Sequence, residues 1–360
     1  MTAREAADAM AAGVARALPD AETILRPVAD GGEGTTQILL SALGGTSQVV
    51  GVSGPLKDDV DATFGRLSDG TTIVEAASAS GLALLPEGGR HAPRASSIGT
   101  GELLRAALAG SFSSSRAIVG VGGTATTDGG TGAASAFGWR FVDEGGDVLT
   151  PGGGGLCRLA RIEPPEHRLP DVTIVGACDV DSPLTGPGGA ARVFARQKGA
   201  SDDEVELLEE GLVNLARRVR EDLGLDLAAM PHAGAGGGLA AGIVAFLGGT
   251  LEPGFTVVAD TIGLDSQIGD ADLAITGEGR LDEGSLRGKC TVGVGGLARA
   301  QGVACGVIAG EIALGPAEID GAGFDRFESL IRLFGPRRAL DDPAGCVTEA
   351  TRAMVASMAG

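Results

Sequence analysis

Four apolar runs in this chain, at 24–28, 117–121, 172–177 and 271–275, each lead into a turn built from glycines and carboxylates. The turns read Ala29-Asp30-Gly31-Gly32-Glu33-Gly34-Thr35, Gly122-Gly123-Thr124-Ala125-Thr126-Thr127-Asp128-Gly129-Gly130, Cys178-Asp179-Val180-Asp181-Ser182-Pro183 and Thr276-Gly277-Glu278-Gly279-Arg280-Leu281-Asp282. Apolar strands alternating with helical segments imply an α/β fold with a parallel sheet, whose ligands gather at the carboxyl ends of the strands. Loops of matching chemistry, far apart in sequence, point to one cleft.

The chemistry such a cleft offers follows from its residue types. Glycines let backbone amides approach an anion, and carboxylates hold Mg²⁺ through oxygen. An ammonium such as Lys289 neutralises a transferring phosphoryl group. These are the parts of a phosphotransfer site. A single turn of this kind is as readily a solvated surface loop; four of them are not so easily explained.

Composition narrows the classes. The 360 residues are 43% hydrophobic and suffice for two domains. The 62 glycines show no collagen period and gather at strand ends. A net charge of −19 argues against nucleic acid as a partner, and no basic stripe interrupts it. Five cysteines without a CxxC pair argue against structural zinc or a disulfide framework and favour a cytoplasmic setting. Three histidines without HExxH spacing, and no tyrosine, leave proton chemistry to Asp, Glu or Lys. No apolar run reaches the ~20 residues of a membrane-spanning helix. Oligomeric state leaves no mark on the sequence.

Periodicity predicts helices over 3–17, 35–42, 97–108, 202–223, 291–301 and 343–358, with an apolar helix closing the stretch 234–247. It predicts strands over 23–28, 116–121, 271–275 and 303–309, and an antiparallel meander over 48–76. The motif beginning at Thr276 is expected to turn from strand into helix. Alternation at both ends with a meander between them suggests an α/β domain formed by 1–46 and 268–360, interrupted by an inserted mixed α/β domain over 47–267.

Two familiar motifs are approached and missed. Gly284-Ser285-Leu286-Arg287-Gly288-Lys289-Cys290 spaces its glycines one residue too close for a Walker A loop and has Cys290 where Mg²⁺ needs a hydroxyl. Gly120-Val121-Gly122-Gly123-Thr124-Ala125 satisfies GxGxxA and supports a rival class, an NAD(P)-dependent oxidoreductase of a small hydroxy acid. A dinucleotide fingerprint needs a helix to begin at once, whereas Thr126-Thr127-Asp128-Gly129-Gly130 continues as loop. A third class, a catalytically silent sugar-acid binding protein, would leave the acidic turns without a purpose.

Six motifs, in order along nearly the whole chain, resemble the type 1 glycerate kinase family. They are the first two acid-and-glycine turns, Gly99-Thr100-Gly101-Glu102-Leu103, Asp179-Val180-Asp181-Ser182-Pro183-Leu184, Gln197-Lys198-Gly199-Ala200 and the Thr276 to Asp282 segment. The resemblance implies ATP- and Mg²⁺-dependent phosphorylation of D-glycerate, usually to 2-phosphoglycerate. It also implies a flavodoxin-like domain and a mixed α/β domain with the active site between them. Ser182 and Thr127 stand where the family has asparagine, and Ala195-Arg196 where it has Gly-Pro. Family members open with an apolar strand and an Asp-Ser-Phe-Lys-Gly loop, so the expectation is that the recorded start codon lies downstream of the true one.

Within that reading, Asp179 and Asp181 are candidates for the metal or the general base. In an extended segment only one of them would face the cleft. Glu278 and Asp282 are competing Mg²⁺ ligands, and Lys198 and Lys289 are candidates to neutralise phosphates. Amides around Gly122, Gly123, Thr124, Thr126 and Asp128 would cradle a triphosphate. Asp30, Glu33 and Thr35 are assigned to the glycerate hydroxyls or to orienting the metal, and Arg280 to its carboxylate.

Overall fold

The computed structural model describes residues 1–109, 115–166, 171–287 and 290–358, which form two compact units. Residues 30–257 make the larger unit; 1–29 and 258–360 make the smaller.

The larger unit is built on a six-stranded sheet. Its strands are β1 (Gly45–Ser53), β2 (Asp59–Leu67), β3 (Thr72–Glu75), β4 (Arg116–Gly120), β7 (Thr173–Cys178) and β8 (Thr250–Pro253). A separate antiparallel pair is formed by β5 (Arg140–Val142) and β6 (Arg161–Glu163). The spatial order is β1-β2-β3-β4-β7-β8. The first three strands are the antiparallel meander read from the sequence, and β3, β4, β7 and β8 run parallel. The central parallel strands are buried almost throughout, which is why 117–121 and 172–177 read as unbroken apolar runs.

Helices complete the layers. The helix Ser201 caps, Asp202–Leu223, begins with a reciprocal capping box to Glu204 and buries Val205, Leu208, Leu212, Leu215 and Val219 along one stripe. These side chains pack with Leu156, Leu184 and Phe246. The helix Ile98–Leu108 lies against the meander so closely that a β-carbon on Gly99 would stand 1.7 Å from the Ser53 carbonyl oxygen.

The smaller unit holds a parallel sheet in the order β11-β10-β9, from β9 (Leu273–Leu281), β10 (Ala304–Ile312) and β11 (Arg326–Ser329). Helices Ala3–Ala17 and Pro343–Met358 pack together through Gly13 against Thr351, with the Thr348 hydroxyl donating to the Ala9 carbonyl at 3.0 Å. Among the described residues, no helix is long and apolar enough to cross a membrane.

Two expectations are corrected here. Residues 23–28 form no strand: Pro27 has no N–H to give a ladder, and Ile24 is exposed. Thr276 to Leu281 is not a turn; β9 continues through it, with Thr276, Gly277, Glu278, Arg280 and Leu281 paired to β10, and the chain turns only at Asp282. Gly277 permits that pairing, because a β-carbon there would lie 2.2 Å from the Ile308 carbonyl oxygen. The two compact units divide in sequence at 29/30 and 257/258. Helix Thr35–Leu43 and its leading loop belong to the larger unit, where Glu75 accepts from the amides of Gly34 at 3.0 Å and Thr36 at 2.6 Å.

The contact at Gly99 tests this packing. Gly99→Ala is expected to lose ~1–3 kcal/mol of stability in urea denaturation, because backbone must move to admit the methyl group. Gly51→Ala, with open space at its β-carbon, is expected to stay within ~0.5 kcal/mol of the parent.

Candidate active site

Strand register sets the site. Glu75 pairs with Gly120, Gly120 with Ala177, and Ala177 with Glu252, so four parallel strands end level with one another. The loops that leave those ends therefore emerge along one edge of the sheet, where α/β folds bind ligands. The Asp30 to Gly34 turn lies across them at backbone contact distance. A β-carbon would stand 1.7 Å from the Asp30 carbonyl oxygen at Gly254, 2.3 Å from that of Gly31 at Gly120, and 2.9 Å from that of Ala177 at Gly31. Only glycine fits such crossings.

The loop after β4 is the centre of the site. Among the described residues, the amides of Gly122, Gly123, Thr124 and Thr126 donate to no protein acceptor. Those of Val121, Ala125 and Gly129 are tied down by Ala177, Ser80 and Gly237. The Thr127 hydroxyl is buried without a protein partner. A tethered loop with free amides is a ready anion cradle.

Beneath it, Lys198 is buried, with Nζ 2.7 Å from the Thr126 carbonyl oxygen and 3.4 Å from Thr124 Oγ1. Burial pulls its ammonium down to about 8, against the upward pull of the Asp128 and Asp179 carboxylates. Perturbed titration of this kind clusters at functional sites.

Asp128 is completely buried, and burial pushes its carboxyl above the usual range. Its oxygens accept from the Ser97 amide at 2.8 Å, the Ser97 hydroxyl at 3.0 Å, and the amides of Gly130 at 3.1 Å and Gly132 at 3.3 Å. With both oxygens so engaged, the side chain organises the loop. Thr35 is likewise buried, its hydroxyl donating to the Gly32 carbonyl at 2.8 Å, so it shapes the first turn.

The remaining acids differ in placement. Asp179, exposed at the end of β7, faces the loop: a β-carbon on Gly122 would lie 3.4 Å from its Oδ2. Asp181 lies beside His232, its Oδ1 3.9 Å from Nδ1, and is 71% exposed. Glu33 is exposed, with Oε1 3.6 Å from where a β-carbon on Gly123 would be. Asp30 is half-buried and accepts from the Gly32 amide at 3.4 Å. An open groove of about 590 Å³ lined by Gly34, Thr36, Glu75 and Ser78 adjoins this turn.

Glu278, Arg280 and Asp282 gather in the smaller unit. Glu278 Oε2 accepts from the Ser285 hydroxyl at 3.0 Å, and Asp282 Oδ1 from the Gly284 amide at 2.9 Å. Arg280 lies 3.4 Å from Asp282 and 3.5 Å from Glu311, so its guanidinium already has two carboxylates. Lys289 lies outside the described residues. Among the described residues, no three His, Cys, Asp or Glu side chains converge as a metal cage. Mg²⁺ does not require one, since it keeps waters and is commonly bound by one or two carboxylates plus substrate phosphates.

Sequence reasoning passed over Ser97, Glu75 and the 234–238 turn as parts of this framework. Only the last carried a signal, its run of glycines. Gly236 and Gly237 press against Val121 and Thr126, where a β-carbon would come within 2.7 and 1.9 Å of carbonyl oxygens.

The arrangement is that of an α/β phosphotransferase: free amides for an anion, a buried ammonium below them, and a carboxylate at the rim. Comparison with known proteins specifies which. The model of the glycerate kinase family matches residues 1–359. The glycerate kinase of Halalkalibacterium halodurans is 41% identical over 356 residues, covering 98% of this chain and 93% of that one. The glycerate 2-kinase of Escherichia coli K12 is 38% identical over 338 residues, covering 93% and 88%. The crystal structure of a protein assigned as glycerate kinase 2 from Salmonella typhimurium LT2 matches with a TM-score of 0.84 at 36% identity, covering 100% of this chain and 95% of that one. The chain belongs to the glycerate kinase family. It is an enzyme, a kinase with a mixed α/β fold.

The buried carboxylate gives a direct test of the framework. Asp128→Asn replaces one acceptor oxygen with a donor facing other donors, and is expected to cost ~1–3 kcal/mol or more in chemical denaturation.

Proposed function

We propose that this chain transfers the γ-phosphoryl group of ATP to the 2-hydroxyl of D-glycerate with the help of Mg²⁺, in the cytoplasm. The observation that carries the reading is the ammonium of Lys198 held under free amides of the loop after β4. Family membership supports glycerate as the acceptor, and the Escherichia coli relative is named for the 2-position. Among the described residues all five cysteines are free and three of them are buried, which supports a reducing compartment.

The proposed roles follow the geometry. Amides of Gly122, Gly123, Thr124 and Thr126 would hold the phosphates, and Lys198 would offset charge that builds on them. Asp179 faces that loop and is assigned as general base; Asp181 points to His232 instead. The glycerate hydroxyl proton passes to the Asp179 carboxylate, its oxygen bonds to the γ-phosphorus, and the bond to the bridging oxygen breaks to release ADP. Asp30 and Glu33 would orient the glycerate. Mg²⁺ would supply further charge neutralisation, with Glu278 and Asp282 as its candidate ligands. Arg280, which already pairs with Asp282 and Glu311 through Nε and Nη1, would meet a substrate carboxylate with its remaining N–H groups.

Oxidoreduction is not favoured. Residues 121–130 run as loop and helix begins only at Thr131, whereas a dinucleotide fold needs helix directly after the first glycine.

A coupled assay of ADP release with ATP, Mg²⁺ and D-glycerate, with NMR of the product, tests the proposal; nicotinamide reduction without ATP would overturn it. Asp179→Ala is expected to lower kcat by ~10²–10⁴-fold while the melting temperature holds; near-normal turnover removes it from the mechanism. Activity is expected to fall as pH rises through about 8, where Lys198 loses its charge. Its effect on stability has the opposite sign. Because the folded value lies below the ordinary 10.5, the buried charge is a cost below pH 8 that is relieved as pH climbs toward 10.5. Lys198→Met should therefore slow turnover by ~10²–10³-fold and abolish that alkaline decline in kcat for the activity that remains.

A further inference from the structure

Deepening the phosphotransfer reading, on which it rests, we infer that His232 is a positioning residue that holds the Asp179 turn against the phosphate loop. Its backbone lies at φ 64°, in the left-handed region. Gly236, Gly237 and Gly238, a few residues on, take positive φ as glycines. Glycine would serve position 232 equally well if backbone shape were all it supplied. The side chain is what glycine lacks, and the ring has a specific partner: Nδ1 lies 2.9 Å from the Val180 carbonyl oxygen. A carbonyl only accepts, so Nδ1 carries the proton and donates. The anchored carbonyl is one residue beyond Asp179.

The segment that begins at His232 ties both halves of the site together. The Gly234 amide donates to the Ser182 carbonyl at 2.8 Å, and a β-carbon on Gly234 would stand 2.2 Å from the Pro183 carbonyl oxygen. Farther on, the Gly236 carbonyl accepts from Thr126 Oγ1 at 3.3 Å and the Gly237 carbonyl from the Gly129 amide at 3.1 Å. One stretch, 232–238, thus grips the acidic turn at one end and the phosphate loop at the other. His232 is its only side-chain hydrogen bond to the acidic turn among the described residues.

The test uses three variants of the full chain. Asn places its amide nitrogen where Nδ1 stood and tolerates positive φ. His232→Gly keeps the backbone and removes the donor; His232→Gln moves the donor one atom too far. In His232→Gly, kcat is expected to fall by ~10–100-fold while KM for glycerate changes little, as for a misplaced catalytic group. Amide hydrogen exchange over 179–184 should quicken, with no drop in melting temperature. His232→Gln should behave like His232→Gly, and His232→Asn should recover most of both kcat and protection. His232→Gly with parental kcat and exchange overturns the inference, as does His232→Asn that recovers neither. If the parent protein phosphorylates no glycerate, the functional reading fails separately, and hydrogen exchange still decides whether His232 holds the turn.

Discussion

A charged amine held away from water beneath a peptide loop is the constraint around which the larger unit is arranged. Lys198 reaches the Thr126 carbonyl only because the loop after β4 bends over it, and that bend depends on Asp128, whose oxygens gather donors from Ser97, Gly130 and Gly132. A buried ammonium without nearby negative charge would give up its proton. The carboxylates of Asp128 and Asp179 oppose that loss, and burial pulls the ammonium down only to about 8.

The same loop is held in place by what lies around it. Strands that end in register place the turns after β4, β7 and β8 side by side, and glycines at 31, 120 and 254 let the Asp30 turn cross them at backbone distance. The 234–238 glycines support the loop from the other side, with the Gly237 carbonyl accepting from the Gly129 amide. The abundance of glycine here is therefore structural in a specific sense: three backbones pass where side chains would collide.

Much of this was legible in the sequence. Buried parallel strands announce themselves as apolar runs, and the long helix 202–223 shows both its cap and its stripe. The nearness of the Gly122 and Asp179 turns followed from their shared position after strands; the Asp30 turn reaches them with no strand before it. Other readings failed for identifiable reasons. Thr276 to Leu281 looked like a turn because glycine alternates with charge, yet β10 supplies a partner strand that keeps it extended. The side chains of Asp128 and Thr35 are buried and hydrogen-bonded within their own loops, a placement that no residue type announces.

The sequence by itself determined the α/β class, the family and the loops that carry the chemistry, because strand periodicity and turn composition are local properties of the chain. Tertiary structure alone decided which acid faces the loop after β4, which is sealed inside, and that burial pulls Lys198 down to about 8. Those outcomes depend on desolvation and on partners more than fifty residues away in the chain, such as Thr126 for Lys198 and Val180 for His232. No local pattern of residue types encodes them.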